Sequence, residues 1–225
     1  MPQQKLHPAF SFLRRLGENN DRPWFQAHRA EYDAVREQWY AEVGRLIARL
    51  AQHDPRVGGI SARSASYRIY RDTRFSNDKS PYKTYFSAAF SVQGHRDDYA
   101  GYYLQMDERP GEGGLYGGLY CLDGPRLNKM RHAIVDNIDE LQGILAEPEL
   151  RRLYGDVWIG PALKTAPKGW PKDHPQAALL RLKSYGKFCG LAPGFFSRAD
   201  WPEAAADMLA PLRPLIDFIN YSLDE

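Results

Sequence analysis

Residues 68–83 read R-I-Y-R-D-T-R-F-S-N-D-K-S-P-Y-K, with Arg68, Arg71, Arg74, Lys79 and Lys83 set around Asp72 and Asp78. Guanidinium and ammonium groups at this density, interleaved with hydroxyls, can hold phosphate or carboxylate oxygens. The same groups can pin a loop through internal pairs, such as Arg68 or Arg71 with Asp72 and Lys79 with Asp78. Both readings stay open on the residues alone. Alternation through 67–72 puts Arg68, Tyr70 and Asp72 on one strand face and Tyr67, Ile69 and Arg71 on the other. Arg74, Ser76, Asp78 and Lys79 then fall in a turn closed by Ser80-Pro81, whose backbone N–H groups could join an oxyanion site. Tyr82 and Lys83 open the next strand at the same mouth. Further along, K-D-H-P (172–175) and Lys183 carry acid–base groups. Asp173 either orients the His174 imidazole for proton transfer or caps the helix that follows. The candidate ligand-binding residues are therefore Arg68, Arg71, Asp72, Arg74, Asp78, Lys79, Tyr82, Lys83, His174 and Lys183. No catalytic residue and no cofactor can be named.

Other chemistries have less support. Six histidines form no H-E-x-x-H or H-x-H pattern, so no metal site is expected. The chain has no G-x-S-x-G and no Gly-Lys-Ser/Thr, and the run G-E-G-G-L-Y-G-G-L-Y (111–120) places Tyr116 where a dinucleotide fingerprint needs its third glycine. Glycines there read instead as room for another backbone or a ligand to approach. Tyr67, Tyr70, Phe75, Tyr82 and Tyr85 interleave with the basic residues, which keeps nucleic acid or an acidic protein partner as the alternative to a small anion. Charge favours the small anion. Residues 56–96 hold eight basic residues against two acidic, while the whole chain is only +2, so the positive charge is focused.

These groups need a scaffold, and 225 residues with 43% hydrophobic side chains can supply one without metal or disulfides. The two cysteines, Cys121 and Cys189, have no C-x-x-C spacing, and the N-terminus lacks the apolar core of a signal peptide. No apolar run approaches the roughly 18 residues of a membrane span. A cytoplasmic protein is the expectation. Residues 9–16 form a short helix stopped at Gly17, and an apolar ladder from Trp24 to Leu50 predicts one long N-terminal amphipathic helix. The period then changes to two. Strands are expected at about 65–71, 84–92, 99–106, 114–121 and 184–190. The short link 93–98 makes a hairpin of the second and third. In the second, Tyr82, Thr84, Phe86, Ala88 and Phe90 share one face, and Lys83, Tyr85, Ser87 and Ser91 the other. A helix from Asp123 carries Leu127 to Leu145, residues 160–176 form a long proline-rich loop, and residues 175–183 form a short helix. The C-terminal helix starts at Pro202 and kinks near Pro211 and Pro214. The fold class is α+β, a mainly antiparallel sheet of about five strands packed against several helices, in a single domain over 1–225.

The basic run also resembles the signature of a widespread family of uncharacterised proteins, a domain of unknown function found in bacteria and fungi. F-L-R-R-L-G-E-N-N-D-R-P-W-F, G-Y-Y-L before the glycine-rich strand, and P-K-D-H-P…L-L-R-L-K-S-Y agree with it, over roughly residues 8–222. The resemblance implies a single cytosolic α+β domain and transfers no catalytic residue. L-Y-C-L-D (119–123) departs from it, since an aromatic followed by proline is expected there.

Overall fold

The computed structural model describes residues 6–91 and 99–224. In chain order the helices and strands are α1 (Pro8–Glu18), α2 (Arg22–Ala27), α3 (Arg29–His53), α4 (Ala62–Ala65), β1 (Phe86–Phe90), β2 (Gly101–Met106), β3 (Gly114–Leu119), α5 (Gly124–Asp136), α6 (Ile138–Ala146), α7 (Pro148–Tyr154), α8 (Ala177–Leu180), β4 (Tyr185–Gly190), α9 (Trp201–Leu209) and α10 (Arg213–Asp224). The strands form one antiparallel sheet in the order β1-β2-β3-β4. The expected link 93–98 between β1 and β2 lies outside the described residues. Contacts gather the chain into two compact units. One holds 6–91, 103–115 and 190–207, and the other 99–102, 116–189 and 208–224.

In the first unit, the long helix is present but begins later than the ladder suggests. His28 breaks it with φ −109° and ψ 18°, so α2 and α3 are separate. The break has a local cause. The His28 ring stacks on Trp24 at 4.0 Å, and its Nδ1 donates to the Trp24 carbonyl at 2.8 Å, so the ring competes for the helix's own acceptor. Past the break, α3 buries Tyr32, Val35, Trp39, Val43, Leu46, Ile47 and Leu50, the stripe its spacing predicts. Trp39 stacks between Phe86 and Trp201, with centroids 5.5 and 6.2 Å away, and its Nε1 donates to Ser66 Oγ at 2.9 Å. Phe25 stacks on Tyr82 at 4.1 Å. The core of this unit is thus a run of aromatic rings, the heaviest apolar burial available per side chain.

The strand expected at 65–71 is not continuous. It pairs with the 81–88 segment at two isolated bridges, Ser66–Ala88 and Tyr70–Tyr82, through Tyr67 N–H to the Ser87 carbonyl (2.9 Å), Arg71 N–H to the Pro81 carbonyl (2.9 Å) and Lys83 N–H to the Ile69 carbonyl (2.7 Å). Ser66 closes α4 by donating its Oγ to the Ala62 carbonyl, so the extended stretch starts only there. Among the described residues, four strands therefore stand where about five are expected.

In the second unit, the apolar period from Leu127 to Leu145 is divided at Asn137 (φ −123°, ψ 38°), whose side chain donates to the Ala133 carbonyl at 3.2 Å. The kink expected near Pro211 is a turn of 3-10 helix at Ala210–Leu212 between α9 and α10. Gly117 and Gly118 of β3 make room for the chain itself: a Cβ on Gly117 would lie 2.6 Å from the Leu212 side chain. A Cβ on Gly118, whose φ is +136°, would lie 2.1 Å from the Tyr185 carbonyl oxygen of β4.

Candidate anion site

The loop 72–80 settles its own charges. Arg74 grips Asp72 through Nε–Oδ1 at 3.0 Å and Nη2–Oδ2 at 2.6 Å, and Arg71 pairs with Asp78. Lys79 Nζ donates to the Thr73 carbonyl at 2.9 Å, and the Ser80 N–H donates to Asp78 Oδ1 at 2.9 Å. Asp72 titrates at about 2, held down by the Arg74 side chain and backbone N–H. Asp78 is also held well below the usual range, first by Ser80 and then by Arg71. Arg74, Lys79 and Asp72 are exposed parts of this staple and line neither cavity described next.

Beneath the loop is a cavity of about 520 Å³, within the size range of small-molecule sites. Arg71, Lys83 and Arg109 supply its cations, Tyr85 and Gln105 its neutral polar lining, and Asp78 and Glu112 its carboxylates. Three stretches of chain position these groups. The 81–85 segment delivers Lys83 and Tyr85 from one face, as alternation predicts, although Ser87 and Ser91 farther along that face are buried. From β2, Tyr103 and Gln105 point the same way while Tyr102, Leu104 and Met106 enter the core. The alternation continues past the strand to Asp107 and Arg109. Tyr103 Oη donates to Gln105 Oε1 (2.7 Å), Gln105 Nε2 donates to Asp107 Oδ2 (3.1 Å), and Arg109 embraces Asp107 through Nε and Nη2 (3.1 and 2.6 Å). Asp107 is 1% exposed, so it fixes Arg109 from behind. Burial pushes the Tyr103 phenol up to about 12. The third stretch is the link between α1 and α2. Asn20 Nδ2 donates to the Tyr82 carbonyl and Asn20 Oδ1 accepts from the Tyr82 N–H, both at 3.0 Å. One side chain there completes both backbone groups of an edge residue.

Lys83 stands apart from the other cations. Arg71 and Arg109 each have a carboxylate, but Lys83 is half-buried with no ion-pair partner among the described residues. Its Nζ lies 5.1 Å from the Tyr67 ring centroid and 5.7 Å from that of Tyr85. Desolvation, and then the nearby Arg68 charge, hold its ammonium below the ordinary lysine value.

The remaining expected residues sit elsewhere. Arg68 is exposed and lines a smaller cavity of about 160 Å³ with Arg36 and Tyr67. Tyr82 lines the larger cavity, but its ring belongs to the core against Phe25. His174 and Lys183 belong to the second unit. His174 Nδ1 accepts from the Gln176 N–H at 3.0 Å, so the imidazole, not Asp173, caps the turn leading into α8. Lys183 is exposed, and its backbone bonds to Leu122 and Pro161. Sequence reasoning placed Tyr85 beside Lys83 without naming it as a site residue, and missed Asn20, Gln105, Asp107, Arg109 and Glu112. The polar alternation Tyr103-Gln105-Asp107-Arg109 is the signal that could have found three of them. Among the described residues, no group of three or more His, Cys, Asp or Glu side chains is placed to hold a metal ion.

The model of a family described as "Conserved hypothetical protein (DUF2461)" matches residues 8–218. No curated protein and no solved structure matches the chain.

Proposed function

The chain belongs to the DUF2461 family, and we propose that it binds a small phosphorylated or carboxylated ligand in the cavity lined by Arg71, Lys83 and Arg109. One observation carries this reading: Lys83 is a half-buried cation with no ion-pair partner among the described residues, facing a cavity of about 520 Å³. Holding such a group costs free energy that a bound anion would return. The two arginines are fixed by Asp78 and Asp107 but keep N–H groups for a ligand's oxygens, since each guanidinium has five donors. Glu112 opposes an anion, which suits a ligand that also carries a hydroxyl or amine. Neither Cys121 nor Cys189 is in a disulfide, and Cys121 is exposed, which supports a reducing, cytoplasmic setting for the protein. No described helix is long and apolar enough to cross a membrane.

Thermal unfolding with inorganic phosphate, sugar phosphates and small carboxylates tests the reading. A ligand at about 100 times its dissociation constant adds about 2.7 kcal/mol and should raise the midpoint by about 5–11 °C. That shift should survive moderate salt. No shift with any anion would remove the proposal.

A second reading has its own observation. Phe75, at the tip of the stapled loop, is 95% exposed, and the Arg74 guanidinium lies 5.8 Å from its ring centroid. Such a pair can stack a base of single-stranded nucleic acid or face an acidic protein. Binding of oligonucleotides that weakens steeply with salt and disappears in Phe75→Ala would favour this reading over the first.

A further inference from the structure

Lys83 differs from its arginine neighbours in one chemical respect: its cation can become a nucleophile. A guanidinium stays protonated at any accessible pH, whereas an ammonium can give up its proton and expose a lone pair. Lysines that act this way are desolvated or set beside another cation, and they avoid carboxylates that would hold the proton. Lys83 meets these conditions. It is half-buried, it has no ion-pair partner among the described residues, and the faces of Tyr67 and Tyr85 flank its Nζ. Burial and Arg68 both favour loss of its proton. Arg71 and Arg109 line the same cavity, pinned by Asp78 and Asp107, where they would hold the anionic end of a substrate beside the amine.

We propose that Lys83 forms an imine with the carbonyl carbon of a small aldehyde or ketone that carries a carboxylate or phosphate. This rests on the anion-site reading and adds the reacting group. The neutral Nζ adds to the carbonyl carbon, so a C–N bond forms as the carbonyl π pair moves to oxygen. One amine proton passes to that oxygen, giving a carbinolamine. The hydroxyl then leaves as water with a proton from the Tyr85 phenol, and the resulting iminium returns its N–H proton to the phenolate. Burial favours the protonated form of Tyr85, which suits a donor. No oxidant or reductant is consumed.

Lys187 provides an internal comparison. It is 2% exposed, its Nζ donates to the Gly155 carbonyl at 3.0 Å and sits 4.6 Å from the Trp158 ring centroid, and burial lowers its proton affinity too. Buried and bonded to that carbonyl, it should stay unreacted in the folded protein.

The test is reductive trapping. The protein is incubated with glyoxylate, glycolaldehyde phosphate or neutral propanal in the presence of cyanoborohydride, and adducts are mapped by mass spectrometry. Unfolding midpoints with inorganic phosphate are measured alongside. We expect both anionic probes to label Lys83 before exposed lysines such as Lys79, inorganic phosphate to suppress that label, and Lys83→Arg to lose it. If phosphate raises the midpoint but Lys83 labels no faster than Lys79, the imine is refuted and the anion site stands. If propanal labels Lys83 as readily as the anionic probes, the substrate class is wrong. If phosphate neither shifts the midpoint nor suppresses labelling, the anion site fails and the inference fails with it.

Discussion

Replacing Lys83 separates what the residue does for stability from what it does for binding. In Lys83→Met the apolar stem keeps its packing and the uncompensated charge is gone, so the ligand-free protein should unfold about 1–3 °C higher than the parent. The gain depends on pH with a definite sign. The folded-state value of Lys83 lies below its unfolded value, so in the window between them the unfolded chain binds a proton that the native protein does not. Parent stability therefore rises with pH across that window, and the advantage of Lys83→Met should narrow between neutral pH and about pH 10. Calorimetric scans of both proteins across that range check the sign. Glu112 gives an independent handle, because it lines the cavity as an exposed carboxylate. Glu112→Gln should tighten phosphate binding by about two- to fivefold, the effect of one like charge in partly screened surroundings, read by titration calorimetry. The basic run itself was legible at this scale, but the division of labour within it was not. Spacing shows which charges are close in sequence, and it cannot show that Arg74 turns back on Asp72 while Lys83 has no carboxylate partner among the described residues.

At the scale of elements, Asn20 is the residue that holds the 81–85 segment against the α1–α2 link. Asn20→Ala would leave the N–H and carbonyl of a buried residue unpaired, at a cost of about 1–3 kcal/mol in chemical denaturation. It should also weaken phosphate binding, because Lys83 adjoins the released residue. Asp21 caps α2 by accepting the Trp24 N–H at 2.8 Å, a bond within one turn of chain. The bond partners of Asn20 lie 62 positions away and leave no trace in local pattern. The apolar periods located the long helix and the four strands, because periods of 3.6 and 2 report which face is buried. They ran through His28 and Asn137, because a side chain that takes a helix carbonyl leaves the apolar spacing intact.

At the scale of the whole molecule, the aromatic core of the first unit carries the site. Trp39 is 1% exposed, and Trp39→Ala should cost about 3–5 kcal/mol, a large part of the 5–15 kcal/mol typical of a folded domain. Denaturant unfolding of that variant checks the figure. Neither compact unit is one continuous stretch of sequence. We expect the chain to unfold as a single domain, in one transition with equal calorimetric and van't Hoff enthalpies; two resolved transitions would contradict this. Composition and period were enough for the α+β class, since they depend on totals and on repeats. The cavity depended on bringing the 81–85 segment, β2 and the α1–α2 link together, which is set by long-range pairing.

The most direct test of the account is titration calorimetry of inorganic phosphate and small carboxylates into the parent protein, Lys83→Met and Phe75→Ala. We predict saturable binding to the parent that persists at moderate salt, its loss in Lys83→Met with the fold intact, and no change in Phe75→Ala. Equal binding to the parent and Lys83→Met would contradict the claim that the unpaired lysine makes the cavity an anion site.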